Sequence, residues 1–327
     1  MGDILKRRRE ETTQRITSLR NDLSKAEELA DGKACVYATG SFARGEASPY
    51  SDLDLFIVGH FKDGRRLLRR LDEICMKADL IEATKSHGIP DFSGDGEYLE
   101  HYTTDELIRT LGKPEDDVNN TFTARLLLLL ESAPLLGSTV YDDVIGEVIA
   151  AYWEDFEDHK NEFMPAFLAN DILRLWRTFC VNYEARTARE PQEKKAKRKL
   201  KNYKLKHSRL LTCYSALLHL LATYTERKTV SPTDALEMVR LTPTQRLEKL
   251  LSHPETTAAQ AKIADLLGCY ERFLDNTNEA EDALVARFLD PARSRAYLGA
   301  AHEFGDTMFE VLEMIGKKSR FYRLLVV

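Results

Sequence analysis

The chain lacks the features that would place it in a membrane or an oxidising compartment. Within 327 residues no apolar run approaches the ~18 residues a membrane-spanning helix needs. The longest, Leu126–Leu130, is closed off by Arg125 and Glu131 and reads as a buried core helix. Only five cysteines occur: Cys35, Cys75, Cys180, Cys213 and Cys269. Their odd number, scatter and lack of a CxxC pair argue against a disulfide framework or a zinc site, and a reducing cytoplasm is the expected setting. The N-terminal segment "MGDILKRRREETTQ" is too charged for a signal peptide, and Lys6 breaks the myristoylation pattern that Gly2 would open. Net charge is −6. A polyanionic partner would therefore have to meet a local basic patch rather than the protein as a whole.

What is present is an ordinary globular composition, 43% hydrophobic and 31% charged, long enough for two domains. Residues 3 to 30 read as a charged amphipathic helix, with Ile4, Ile16, Leu19, Leu23 and Leu29 on one face. "CVYAT" and "DLDLFIVG" are short β-rich runs, and the glycine-bearing segment between them can start a helix at Ser41. "GRRLLRRLDEICMKADLIEATKS" has helical periodicity, "PDFSGDG" has loop chemistry, and "EYLEHYT" suits a third strand. In "TTDELIRTLG", Thr103 or Thr104 caps a helix. Beyond it the β-signals stop until the terminal "LLVV", and long periodic helices follow one another. The expected fold class is α+β: a small α/β domain with a short mixed sheet, residues 1–135, then a larger all-helical domain, residues 136–327.

The chemistry concentrates in "YATGSFARGEASPYSDLDLFIVG", Tyr37 to Gly59. Residues i and i+2 of a strand share a side, so Asp52 and Asp54 project together ahead of an apolar run. Paired carboxylates there call for a cation between them. Hard oxygen ligands favour Mg²⁺, with Mn²⁺ as the alternative, and such ions keep waters and share substrate phosphates. Upstream, Gly40 and Ser41 stand where a strand turns into a helix. Backbone N–H groups and the Ser41 hydroxyl at that turn can hold a phosphate. One end of the motif suits a triphosphate and the other suits its metal.

Gly40-Ser41, Arg44-Gly45-Glu46 and Ser51-Asp52-Leu53-Asp54 resemble the signature of the DNA polymerase β nucleotidyltransferase superfamily. The wording "RGE…PYSDLDL" is most similar to bacterial protein uridylyltransferases and to uncharacterised nucleotidyltransferases of that branch, whose helices "NTFTARLLLLLES" and "FLANDILRLWRTFCVNYE" also resemble. The resemblance implies transfer of a nucleoside monophosphate from an NTP to an acceptor with release of pyrophosphate. It implies metal binding at Asp52 and Asp54 and nucleotide contacts at Gly40, Ser41 and Arg44. It also implies a third carboxylate on a later strand, a metal ligand that helps deprotonate the acceptor. Glu97 is the first choice for it, Glu100 the second, and Asp95 the remaining candidate. No His-Asp dipeptide occurs, so the phosphohydrolase module of the larger uridylyltransferases is not expected.

In the helical half, "EKKAKRKLKNYKLKHSR" carries eight Lys or Arg before His207. Lys204, Lys206 and Ser208, with Arg209, are candidate triphosphate contacts, and the run 194–209 is a candidate surface for an acceptor RNA or protein. The bland alternative is a solvated helix start. Asn170, Asp171 and Arg174 around Trp176 suit either a base or ribose contact or a core tryptophan beside a surface ion pair. Arg295 and His302 have the spacing of an RNase motif of some helical toxin domains. The acceptor stays open among protein, RNA and a small-molecule hydroxyl, and the competing class is a nucleotide-sensing or partner-binding module that has kept the fold without turnover.

Overall fold

The computed structural model describes residues 2–92, 96, 99–183 and 190–326. In chain order the first half runs α1 (Asp3–Asp22), α2 (Ser24–Ala30), β1 (Ala34–Thr39), α3 (Gly40–Ala43), β2 (Asp54–Gly59), β3 (Phe61–Lys62), β4 (Arg65–Arg66), α4 (Arg70–Ser86), β5 (His101–Thr103), α5 (Thr104–Arg109), α6 (Glu115–Val118), α7 (Thr121–Leu130), β6 (Ala133–Leu136) and α8 (Ser138–Tyr152). The second half is helical: α9 (Ala166–Tyr183), α10 (Gln192–Lys204), a π-helical turn (Leu205–Arg209), α11 (Leu210–Arg227), α12 (Pro232–Arg240), α13 (Pro243–Leu250), α14 (Gln260–Asn276), α15 (Glu281–Leu289), α16 (Pro291–Gly316) and α17 (Arg320–Val326). The α+β expectation is met: a small α/β part with a mixed sheet precedes a larger helical part.

Four strands form the sheet in the order β5-β2-β1-β6. β1 runs antiparallel to both β2 and β6, whereas β2 and β5 are parallel. Both sheet faces are covered, which is why the two long strands are apolar nearly throughout. One face presents Val36, Ala38, Leu55 and Ile57 to Leu19, Leu23 and Ala26 of the N-terminal helices and to Met76 and Leu80 of α4. On the other face Tyr37 stacks on Phe56 with ring centres 5.5 Å apart, Phe56 meets Tyr102, and the Tyr37 hydroxyl donates to the Ala124 carbonyl of α7.

The chain separates into two compact units. The first is Leu5–Glu154, and the second holds the helices that follow. The first unit thus runs past the 135 boundary expected from the sequence. β6 completes the sheet beside β1, and α8 packs on β1, so a cut at 135 would pass through a strand. Two further expectations are corrected. The N-terminal stretch is two helices, parted at the fully buried Leu23, instead of one. The terminal Leu324–Val326 run is helical, not β, while the strand that the sequence reading missed is "APLL" at 133–136. Thr103 caps α5 with a full capping box to Glu106, as the cap pattern predicts.

Candidate active site

The turn from β1 into α3 is built on Gly40, whose φ is +67°, a conformation that costs a residue with a Cβ about 1–2 kcal/mol. Gly40 has a second constraint. A Cβ there would lie 3.2 Å from Oδ2 of Asp54, so the missing side chain leaves room for that carboxylate against the turn. Asp54 opens β2 directly opposite Thr39 in the β1–β2 ladder. Asp52 lies two residues earlier, exposed and ahead of the strand, and Asp54 is half-buried. The α3 turn and Asp54 at the head of β2 therefore come together, while Asp52 lies just outside the strand.

The turn is held from beneath by a buried ionic cluster. Arg44 donates from Nε to Glu46 at 2.8 Å and from Nη1 to Glu131 at 2.9 Å. The other oxygen of Glu131 accepts the Gly40 N–H at 3.3 Å. The side chains of Glu46 and Glu131 are 1% and 0% exposed, and that of Arg44 is 9% exposed. The guanidinium that the motif offers as a nucleotide contact is thus turned into the protein, where its charge offsets two desolvated carboxylates. Glu131 was not singled out from the sequence. Its signal is a carboxylate that ends the most apolar helix of the chain, a position that demands a buried cation.

A second residue escaped the sequence reading. Thr39 caps this turn and is 2% exposed, and its hydroxyl has no hydrogen-bond partner among the described residues. Because Thr39 pairs with Asp54 across the ladder, that hydroxyl stands on the same sheet face as the carboxylate. An orphaned buried hydroxyl is costly unless a water or ligand group completes it. Beneath the loop that leads to Asp52, Arg15 donates to the Ser48 carbonyl at 2.5 Å, with its guanidinium 4.6 Å over the Phe42 ring of α3.

The expected third carboxylate is only partly within view. Glu97 and Asp95 lie outside the described residues. Glu100 accepts the Tyr102 hydroxyl at 3.0 Å. Among the described residues no three His, Cys, Asp or Glu side chains gather closely enough to hold a metal ion, so Glu100 does not complete a triad with Asp52 and Asp54.

The lysine-rich candidates belong to the second unit. Lys204 ends α10 and is exposed. The Ser208 hydroxyl donates to the Lys204 carbonyl at 2.7 Å, one helical turn back. Lys206 Nζ lies 3.0 Å from Nε2 of His302. Much of the basic run is locally compensated: Lys194 and Arg198 pair with Glu190, and Lys197 pairs with Glu281 at 2.5 Å. Trp176 is half-buried and packs edge-on against Tyr214, and the buried Asp171 lies 4.0 Å from Arg174.

No curated protein and no solved structure matches this chain. No helix among the described residues is long and apolar enough to cross a membrane. Residues 16–102 match the family model described as the nucleotidyltransferase domain. That span runs from α1 into β5 and takes in Gly40, Ser41, Asp52 and Asp54. It stops short of Glu131, β6 and the helical unit. The match and the turn-plus-aspartate geometry agree, and together they support a nucleotidyltransferase domain of the polymerase β-like superfamily over this part of the chain.

Proposed function

We propose that the protein transfers a nucleoside monophosphate from an NTP to an acceptor hydroxyl, using Asp52 and Asp54 with Mg²⁺. One observation carries this reading. The Asp54 carboxylate lies against a glycine turn that has no side chain to fill the space between them. In this reading the N–H groups of the turn beyond that of Gly40, which Glu131 holds, and the Asp54 carboxylate face one volume, with Asp52 two residues ahead, the arrangement a triphosphate with its cation requires. The donor set fits Mg²⁺: two hard carboxylates on one strand head, with the orphaned Thr39 hydroxyl beside them for a water or phosphate oxygen. A bound Mg²⁺ would supply charge stabilisation at the phosphoryl oxygens and favour an ionised acceptor oxygen.

The chain's own residues do the rest. Gly40 and Ser41 orient the triphosphate for in-line attack on the α-phosphorus, and Asp52 and Asp54 fix its metal-bearing side. Glu97 is the proposed acceptor base. Lys204, Lys206 and Ser208 are proposed further phosphate contacts, and the run 194–209 a proposed surface for a macromolecular acceptor. The test is incubation with Mg²⁺ and each α-labelled NTP, alone and with RNA, protein or small hydroxyl compounds, beside Asp52→Ala and Asp54→Ala. Transfer of label by the wild type and its loss in both variants, with unfolding midpoints unchanged, is the expected result. Full turnover in either variant would overturn the assignment. NTP binding without pyrophosphate release would move the protein to the sensing class.

A further inference from the structure

The two aspartates of the motif are held in place by different means. Asp54 is fixed by the β1–β2 ladder, where it faces Thr39. Asp52 stands ahead of the strand, exposed, and its side chain makes no hydrogen bond or ion pair among the described residues. Its position is set by the loop that delivers it, residues 47–51. A surface loop is ordinarily the mobile part of a fold, yet every N–H of this one has a partner. The Ala47 N–H donates to the Thr12 hydroxyl at 2.9 Å and the Ser48 N–H to the Ser51 hydroxyl at 2.9 Å. The Tyr50 N–H donates to the Ser48 hydroxyl at 3.1 Å and the Ser51 N–H to the Ser48 carbonyl at 3.1 Å. Pro49 has no N–H to place.

The grip on this loop from outside comes from one helix, α1. Arg8 donates from Nη1 to the Ala47 carbonyl at 3.3 Å, Thr12 receives the Ala47 N–H, and Arg15 donates from Nη1 to the Ser48 carbonyl at 2.5 Å. Their spacing puts the three side chains on one face of the helix. Arg8 and Thr12 are buried at this contact, 3% and 1% exposed. Arg15 reaches further. Its guanidinium lies over the Phe42 ring of α3, so one side chain touches both the nucleotide turn and the loop that leads to Asp52. Between those two points the chain runs so close to α1 that a Cβ on Gly45 would lie 3.3 Å from Cγ of Arg9. Arg8, Thr12 and Arg15 all precede position 16, where the family match begins.

We propose that α1 is a clamp that sets the metal-binding geometry of Asp52, with Thr12 and Arg15 as its positioning residues. This rests on the nucleotidyl-transfer reading above. Neither side chain belongs to the donor set, and each acts through Asp52. A carboxylate on an unpinned loop loses conformational freedom each time it takes up a cation. Held by α1, Asp52 has already lost that freedom when the chain folds, and the cation meets a preorganised ligand.

The experiment reads metal binding directly, on the full chain, with Mn²⁺ as probe and a non-hydrolysable ATP analogue present, by water proton relaxation. Arg15→Met keeps the apolar cover of Phe42 but not the hydrogen bond to Ser48. It should weaken Mn²⁺ binding roughly tenfold, as loss of a group that orients a metal ligand does. Asp52→Ala should weaken it further still. In the Asp52→Ala background Arg15→Met should cause no additional loss, because its effect runs through that carboxylate. Arg15→Lys, which retains a donor, should recover most of the affinity. Thr12→Val, of matching volume, should repeat the pattern and serves if Arg15→Met does not fold. Wild-type Mn²⁺ affinity in both Arg15→Met and Thr12→Val overturns the clamp and leaves the transfer reading standing. So does an equal loss with and without Asp52, the mark of general loosening. If Asp52→Ala itself binds Mn²⁺ as the wild type does, the metal assignment of Asp52 falls, and the clamp falls with it.

Discussion

Replacing Arg44 separates two roles that the motif alone does not distinguish. If the guanidinium contacts phosphate, Arg44→Ala weakens NTP binding and leaves stability nearly unchanged. The structure points the other way, because Arg44 bonds Glu46 and Glu131, whose carboxylates are almost wholly buried. Removing the cation leaves two desolvated negative charges close together, a change that costs about 3–5 kcal/mol. For a cooperative unit the size of Leu5–Glu154 that corresponds to a fall in melting temperature of roughly 6–20 °C, a large part of a typical total stability of about 5–15 kcal/mol. The assay is urea unfolding followed by tryptophan-independent probes such as far-UV circular dichroism, with ATP affinity measured separately on the folded fraction. Should Arg44→Ala fail to fold, Arg44→Lys keeps the charge but not the forked geometry and is expected to lose about half as much. The double variant Arg44→Ala/Glu131→Ala should lose less than the sum of its single variants, by about 1–3 kcal/mol of coupling. A single variant within about 1 kcal/mol of wild type, with ATP affinity down tenfold, would refute the reasoning and return Arg44 to the nucleotide.

Gly40→Ala should destabilise by about 1–2 kcal/mol through its positive φ and lower nucleotidyl transfer by far more than that, since the new methyl meets Asp54 Oδ2. Equal stability and activity would rule out the left-handed turn as a requirement. Thr39→Val removes the orphaned hydroxyl at similar volume, so stability should hold within about 1 kcal/mol while ATP affinity in Mg²⁺ falls several-fold. Burial pushes the pKa values of His207 and His219 down to about 4. An unfolded histidine takes up a proton near its ordinary pKa of about 6.5 that the folded one refuses, so the unfolded state binds more protons in that window. Stability is then complete above pH 6.5 and falls toward pH 4 by up to about 1.4 kcal/mol per pH unit for each histidine. His207→Leu, measured by denaturant titration at pH 7 and pH 5, should show a visibly shallower loss than wild type. Arg246 is fully buried, with Nη1 and Nη2 lacking hydrogen-bond partners among the described residues. Arg246→Met should therefore be no less stable than wild type by thermal melting.

The legible parts of this fold were those where local chemistry and tertiary demand coincide. The motif from Thr39 to Asp54 announces a strand, a turn and a second strand because glycine at positive φ and alternating carboxylates leave few alternatives. The five leucines of α7 had to be buried, and all are. What escaped depends on distant partners. Glu131 is 91 residues from the Gly40 N–H it accepts, so no local pattern links them. "APLL" carries a proline that weakens its strand signal, and it pairs only because β1 offers an edge. The β3–β4 ribbon was readable and was passed over within a helical periodicity. Asp63-Gly64, both at positive φ, is the dipeptide a two-residue hairpin turn prefers.

The position of β6 has a practical consequence for anyone expressing this protein in pieces. The family match ends at residue 102, yet β1 is an interior strand only because 133–136 lies against it. A fragment stopped at 102 would present the backbone of β1, buried along its whole length in the full protein, as an open row of donors and acceptors. Such rows recruit strands from other molecules. That fragment should accumulate as insoluble material, whereas one carried through Glu154 closes its own edge and stays dispersed.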